Sequence, residues 1–260
     1  MVKRVLTSVI GFPILAALVI LGGLWLKAGL LLLGILGMYE FYKAASGKFK
    51  PLHIAGFVFA AAYIFVENMP FTAMLLILVI LLLCAATFLH ETVTVRDCAD
   101  VVFGFLYVAL PFFCVYLIRE SESGIYFVWL VFTCAFGSDM GGYFTGRLIG
   151  KHKLAPTISP HKTVEGSIGG VVLSAALAVA LAFIISDFPV AFSPLKFAVI
   201  GAVGGAFSQV GDLAASVIKR RAGLKDFGNI LPGHGGILDR FDSVLFTAAF
   251  VYFCVTAGIL

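Results

Sequence analysis

Residues 69–89 read MPFTAMLLILVILLLCAATFL, 21 residues without a charged side chain. A helix rises 1.5 Å per residue, so about 20 apolar residues cross the ~30 Å hydrocarbon core of a bilayer. No water is available there to satisfy the backbone, and a helix satisfies it internally. The stretch therefore reads as a membrane-spanning helix. Working outward, similar stretches lie near 5–24, 28–45 and 52–67 on one side. On the other side they lie near 100–118, 124–146, 164–185, 197–218 and 237–259. Two of these are less regular: 28–45 is short and contains Glu40, and 52–67 is bounded by Glu67, Asn68 and Pro70.

Composition agrees with this reading. Of 260 residues, 61% are hydrophobic and 12% charged, where a soluble domain carries about 25% charge. The mean hydropathy is +1.08. No hydrophilic stretch is long enough to fold alone, which leaves one membrane domain. The expected fold is an all-α polytopic membrane protein of about nine transmembrane helices. The five cysteines are scattered, form no C-x-x-C pair, and read as small buried hydrophobes. Met1–Arg4 and the apolar run after it lack an A-x-A-like cleavage site, so a retained first helix is expected.

Nine spans with a cytoplasmic N-terminus and an outside C-terminus can be tested by counting cations. Of the 18 lysines and arginines, fourteen then fall in inner segments and three (Lys27, Arg119, Lys196) in outer loops. Arg240 lies inside the last span. That split satisfies the positive-inside rule. It places the two long polar loops, 147–163 and 219–236, on the cytoplasmic side. Glycine pairs 142/146, 166/170 and 201/205 have small-xxx-small spacing, which serves close packing within one protomer or a dimer face.

Ionisable residues in spans are costly and are functional candidates by default. Here they are Glu40, Asp139, Glu165, Asp212, Asp239, Arg240 and Asp242. Glu40 has Lys43 at i+3 and is expected to pair with it. The other five acids fall at one depth, just below the inner surface. Asp239 and Asp242, at i and i+3, share a helix face. Carboxylates converging in a partly dehydrated pocket repel one another, and a divalent cation relieves this. Oxygen ligands favour magnesium, manganese or calcium, and no Cys/His set has zinc spacing. The plainer alternative for Asp239-x-x-Asp242 is a solvated helix start. Asp212 at matching depth and the adjacent basic loop favour the metal.

That loop belongs to residues 216–242, SVIKRRAGLKDFGNILPGHGGILDRFD. Lys219, Arg220, Arg221 and Lys225 precede a Pro-Gly-His-Gly-Gly turn at 232–236 that leads into the last span. Glycine backbone and a helix N-terminus suit an anion, so the loop reads as a polyphosphate cradle. His234 alone is more often a local hydrogen-bonding residue than a catalyst. The second loop region, Ser138–Gly166, gathers Arg147, Lys151, His152, Lys153, His161 and Lys162. Thr163 there suits a helix cap.

Residues 216–242 resemble the signature of the phosphatidate cytidylyltransferase (CDP-diacylglycerol synthase) family. The matching residues are Ser216, Lys219, Arg220, Lys225, Asp226, His234, Gly235, Gly236, Asp239, Arg240 and Asp242, without a gap. Ser138–Gly166 is similar to the family's second motif region, with His161 where lysine is frequent and Met140 where threonine is common. The resemblance implies transfer of the cytidylyl group of CTP to phosphatidic acid, giving CDP-diacylglycerol and pyrophosphate. It also implies magnesium dependence, a homodimer and a cytoplasmic-face pocket in a bacterial inner membrane, with no nucleic-acid partner.

On this reading Asp212, Asp239 and Asp242 hold one or two cations. Lys219, Arg220, Lys225 and the His234-Gly235-Gly236 turn neutralise the triphosphate. Ser138, Asp139, Arg147, Lys162 and Glu165 position the lipid phosphate or support the acids, with Ser216, Asp226 and Arg240 completing the site. Residues 1–120 serve as scaffold, dimer face or lipid access, and 121–260 carry the chemistry. The competing readings are a CTP-dependent kinase of a polyprenol- or phytol-like alcohol and an ion-coupled transporter.

Overall fold

The computed structural model describes residues 2–66, 70–185, 193–230 and 235–260. Glu67, Asn68 and Met69, and Pro232, Gly233 and His234, lie outside the described residues. The chain forms α1 (Val2–Leu21), α2 (Gly23–Ser46), α3 (His53–Phe65), α4 (Phe71–Phe88) and α5 (Val95–Glu120). It continues with α6 (Gly124–Ile149), α7 (Val164–Ile185), α8 (Pro194–Arg221) and α9 (Leu238–Thr256). Each apolar stretch singled out in the sequence coincides with one of these helices. Six of them, α2 and α4 to α8, are long and apolar enough to cross a membrane. α3 has only 13 residues, a rise of about 20 Å, short of a full crossing. α9 carries Asp239, Arg240 and Asp242 in its first turns.

One region departs from the all-helical expectation. Within 147–163 the chain makes an antiparallel hairpin of β1 (Lys153–Ala155) and β2 (Ser159–Thr163). Pro156 and Pro160 exclude a helix there, and a two-stranded ribbon is all edge, where proline is tolerated. β2 runs directly into α7. Thr163 Oγ1 accepts a hydrogen bond from Gly166 N at 3.1 Å, the expected cap.

α5 begins with a capping box, Thr94 Oγ1 accepting from Asp97 N and Asp97 Oδ2 from Thr94 N. It widens into a π turn at Phe105–Ala109, just ahead of Pro111. Proline lacks an N–H and presses on the carbonyl four residues back, and the wider turn relieves both problems. At its far end Arg119 donates to Val19 O (2.9 Å) and Ile20 O (3.3 Å), last-turn carbonyls of α1. Such carbonyls have no partner within their own helix.

α6, α7 and α8 pack closely because glycines line their crossings. A Cβ on Gly166 would lie 2.8 Å from Gly142 O and 3.2 Å from Gly146 Cα. One on Gly201 would lie 2.6 Å from Ala178 Cβ. The small-xxx-small pairs thus serve packing within the chain. α2, α3 and α5 form a second layer held by aromatic contacts such as Phe59 on Phe105, with centroids 4.7 Å apart. Polar ties at the layer's end fix the α2–α3 loop to the start of α5: Lys50 Nζ to Asp97 Oδ1 at 2.6 Å and Ser46 Oγ to Asp100 Oδ2 at 2.7 Å.

Candidate active site

A cavity of about 610 Å³ opens at one end of the bundle between α6, α7, α8, α9 and the hairpin. α6 contributes Ser138, Asp139, Gly142, Tyr143, Gly146 and Arg147, a spacing that keeps them on one helix face. α8 contributes Gln209 and Asp212, α9 contributes Asp239 and Asp242, and the hairpin contributes His161 and Lys162. The five acids expected at one depth divide here. Asp139, Asp212, Asp239 and Asp242 share the cavity. Glu165 does not line it. Its carboxylate accepts from Lys151 N (3.1 Å) and His152 N and sits 2.6 Å from His152 Nδ1, holding the loop ahead of the hairpin.

Two of the cavity acids are neutralised by lysines. Lys162 Nζ lies 2.5 Å from Asp212 Oδ2, tying the hairpin to α8. Lys219 Nζ lies 2.8 Å from Asp239 Oδ1, with both side chains nearly buried (11% and 3% exposed). Asp239 Oδ2 also accepts from Phe227 N (2.8 Å) and Gly236 N (3.0 Å), so one carboxylate organises both ends of the α8–α9 loop. Asp242 is buried and its Oδ1 accepts from Ser243 N at 2.8 Å. Among the described residues neither Asp139 nor Asp242 is in an ion pair.

The two basic loops meet at this end of the bundle. Arg220 Nε donates to Ile158 O (3.4 Å) in the hairpin turn, and its Nη1 to Leu224 O (3.2 Å). Ser216 Oγ lies 3.5 Å from Asp212 Oδ1. Arg147 Nη1 donates to Tyr143 Oη at 2.9 Å on the exposed face of α6. Lys225, Asp226 and Arg240 are exposed near the cavity helices. Gly235, at φ +87°, adopts a backbone shape that favours glycine and brings the chain past Asp239. His234 lies outside the described residues.

Two features were not anticipated. Gln209, one turn before Asp212 on α8, bonds Ser167 through both ends of its amide and donates to Ser138 Oγ at 3.2 Å. A lone amide at i−3 to an acid within an apolar span is the signal available for it. Glu40 makes no pair with Lys43, which is exposed. Its buried carboxylate accepts from Ile237 N (3.1 Å) and Leu238 N (3.0 Å) at the start of α9. A local i+3 lysine is a weaker partner for a buried carboxylate than two unpaired amides at a helix N-terminus.

The four aspartates facing the cavity offer carboxylate oxygens, which suit a hard divalent cation, and His161 adds one ring nitrogen to the lining. As the side chains are placed, no group of three or more acidic, histidine or cysteine side chains among the described residues could hold an ion together. The fit is therefore one of donor chemistry, with Asp212 and Asp239 also serving lysines.

A helical membrane bundle with an acid- and lysine-lined cavity at one end of its helices defines the class, and sequence comparison places it. The cytidylyltransferase family model matches residues 2–257, and the chain belongs to that family. Phosphatidate cytidylyltransferase of Bacillus subtilis (strain 168) is 33% identical over 265 residues, covering 97% of both chains. The proteins of the same name from Staphylococcus saprophyticus and Staphylococcus epidermidis are 35% and 36% identical, each over 253 residues and 94% of both chains.

Proposed function

We propose that this protein transfers the cytidylyl group of CTP to phosphatidic acid, giving CDP-diacylglycerol and pyrophosphate for phospholipid synthesis. The observation that carries the reading is the shared cavity. In a chain of this family it brings Asp139, Asp212, Asp239 and Asp242 together with Lys162 and Arg147. A phosphate oxygen of the lipid attacks the α-phosphorus of CTP. The bond from that phosphorus to the β-phosphate oxygen breaks, and its electrons leave with pyrophosphate. The nucleophile is already anionic, so positioning and charge neutralisation dominate over base catalysis.

Lys162 and Arg147 bind the lipid phosphate, with Ser138 and Asp139 beside them. Lys219, Arg220 and Lys225, with the turn containing His234, Gly235 and Gly236, neutralise charge as it moves onto pyrophosphate. Ser216, Asp226 and Arg240 flank that side, and Glu165 holds the loop that carries Lys162. Asp212, Asp239 and Asp242 are the residues that would hold magnesium, which would supply charge neutralisation for the phosphates. The cation count supports a cavity at the cytoplasmic face of the cell membrane. CTP reaches it from the cytosol, while the lipid stays in the bilayer, each buried methylene being worth about 0.8 kcal/mol. A homodimer, and a division into scaffold (1–120) and chemistry (121–260), complete the proposal.

The test uses the purified protein in detergent with CTP labelled at the α-phosphate and phosphatidic acid. Label should enter the lipid, with one pyrophosphate released for each. Release of CDP with a polyprenol acceptor would establish the lipid kinase instead. Chelation with EDTA should abolish turnover, and added magnesium should restore it.

A further inference from the structure

Glu40 belongs to α2, 197 and 198 residues from its two partners and far from every cytidylyl motif. It is 2% exposed. α9 has no side-chain cap of its own, and Glu40 fills that place from another helix. Its Oε1 takes Ile237 N and its Oε2 takes Leu238 N. With Asp239 taking Gly236 N, two carboxylates serve three successive amides. These are the amides a helix start leaves unpaired, at the positive end of its dipole.

The surrounding glycines are fitted to this carboxylate. A Cβ on Gly236 would lie 2.5 Å from both Glu40 oxygens, and one on Gly228 2.5 Å from Oε1. Gly236 therefore makes room for Glu40, which gives that motif glycine a packing reason independent of any ligand.

We propose that Glu40 is a positioning residue for the transfer reaction. By gripping the amides of Ile237 and Leu238 it sets the rotation of the first turn of α9. It thereby fixes the direction in which Asp239 and Asp242, at i and i+3, face the cavity. The inference rests on the reading that these two acids serve the reaction.

The test compares full-length Glu40→Ala, Glu40→Gln, Lys43→Ala and Asp242→Asn in detergent, by kcat, KM for CTP, magnesium dependence and thermal melt. Glu40→Ala should lose about 10- to 100-fold in kcat, the usual range for a supporting partner of a site residue. Its half-activating magnesium concentration should rise, while KM for CTP stays within about twofold. Glu40→Gln retains one acceptor oxygen and should fall between Glu40→Ala and the unaltered protein. Lys43→Ala should be unchanged. A Glu40→Ala protein that melts earlier but keeps kcat and magnesium dependence overturns the inference. If Glu40→Ala does not accumulate, an unchanged kcat in Glu40→Gln overturns it equally. Inactive Asp242→Asn beside fully active Glu40→Ala sinks this inference alone. Active Asp242→Asn overturns the reading of the acids, and this inference with it.

Discussion

Lys219 and Asp239 form the least solvated ion pair in the described cavity, and Lys162 and Asp212 the more open one (25% and 29% exposed). Their mutational consequences should differ accordingly. Removing one member of a buried pair leaves an uncompensated charge, at a cost of about 3–5 kcal/mol. Lys219→Ala and Asp239→Asn should therefore each lower the melting temperature sharply and reduce turnover by about 10²-fold or more. The double variant Lys219→Met/Asp239→Asn should regain part of the melting temperature while staying inactive, because it removes the stranded charge but not the need for it. Lys162→Ala, at a partly solvated pair worth about 0–1 kcal/mol, should melt almost normally yet raise KM for phosphatidic acid several-fold. Thermal melts beside substrate titrations check this. An Asp239→Asn enzyme with normal turnover would remove Asp239 from the chemistry.

At the scale of elements, local signals were legible and distant ones were not. Each long helix is legible through a mostly apolar run, α4 through one with no charge at all. Asp239-x-x-Asp242 was readable as one face because the i, i+3 rule is local. The hairpin at 153–163 is legible only as part of a long polar loop, since Pro156 and Pro160 say what the chain cannot be rather than which residues it pairs. Glu40 is legible as an acid inside a span, but its partners lie at the start of α9, and no spacing rule connects residue 40 to residue 237. The glycine crossings sit between these cases. The spacing was visible, while the choice between packing and dimer face needed neighbours. Those neighbours give a prediction. Gly166→Leu would drive a side chain into Gly142 O and Gly146 Cα, and overpacking of this kind costs about 1–3 kcal/mol or more. The variant should melt early and lose activity, because α6 and α7 both line the cavity. Gly11→Leu, with nothing within 4 Å of the added atom, should change neither. Equal tolerance at both positions in a melt and a turnover assay would contradict the crossing as described.

For the whole molecule the decisive matter is sidedness. The structure collects Ser46, Lys50, the hairpin, Arg220 and the start of α9 through mutual contacts with the cavity helices or with α2 and α5. Arg119 and Glu120, bonded to the junction of α1 and α2, mark the other end of α5. If the cavity faces the cytosol, Lys225 is inside and Glu122 outside. In a variant with all five cysteines replaced, Lys225→Cys should react with a membrane-impermeant maleimide only after cells are opened. Glu122→Cys should react in intact cells. The reverse pattern would put the lysines proposed to bind phosphate on the side where no CTP is found, and it would defeat the proposed reaction however well the cavity suits it. The expected pattern also explains why polar groups crowd one end of so apolar a chain. A lipid confined to the bilayer and a nucleotide excluded from it meet only at the interface, so on that orientation the charged residues proposed to serve both belong at the cavity ends of α6, α8 and α9.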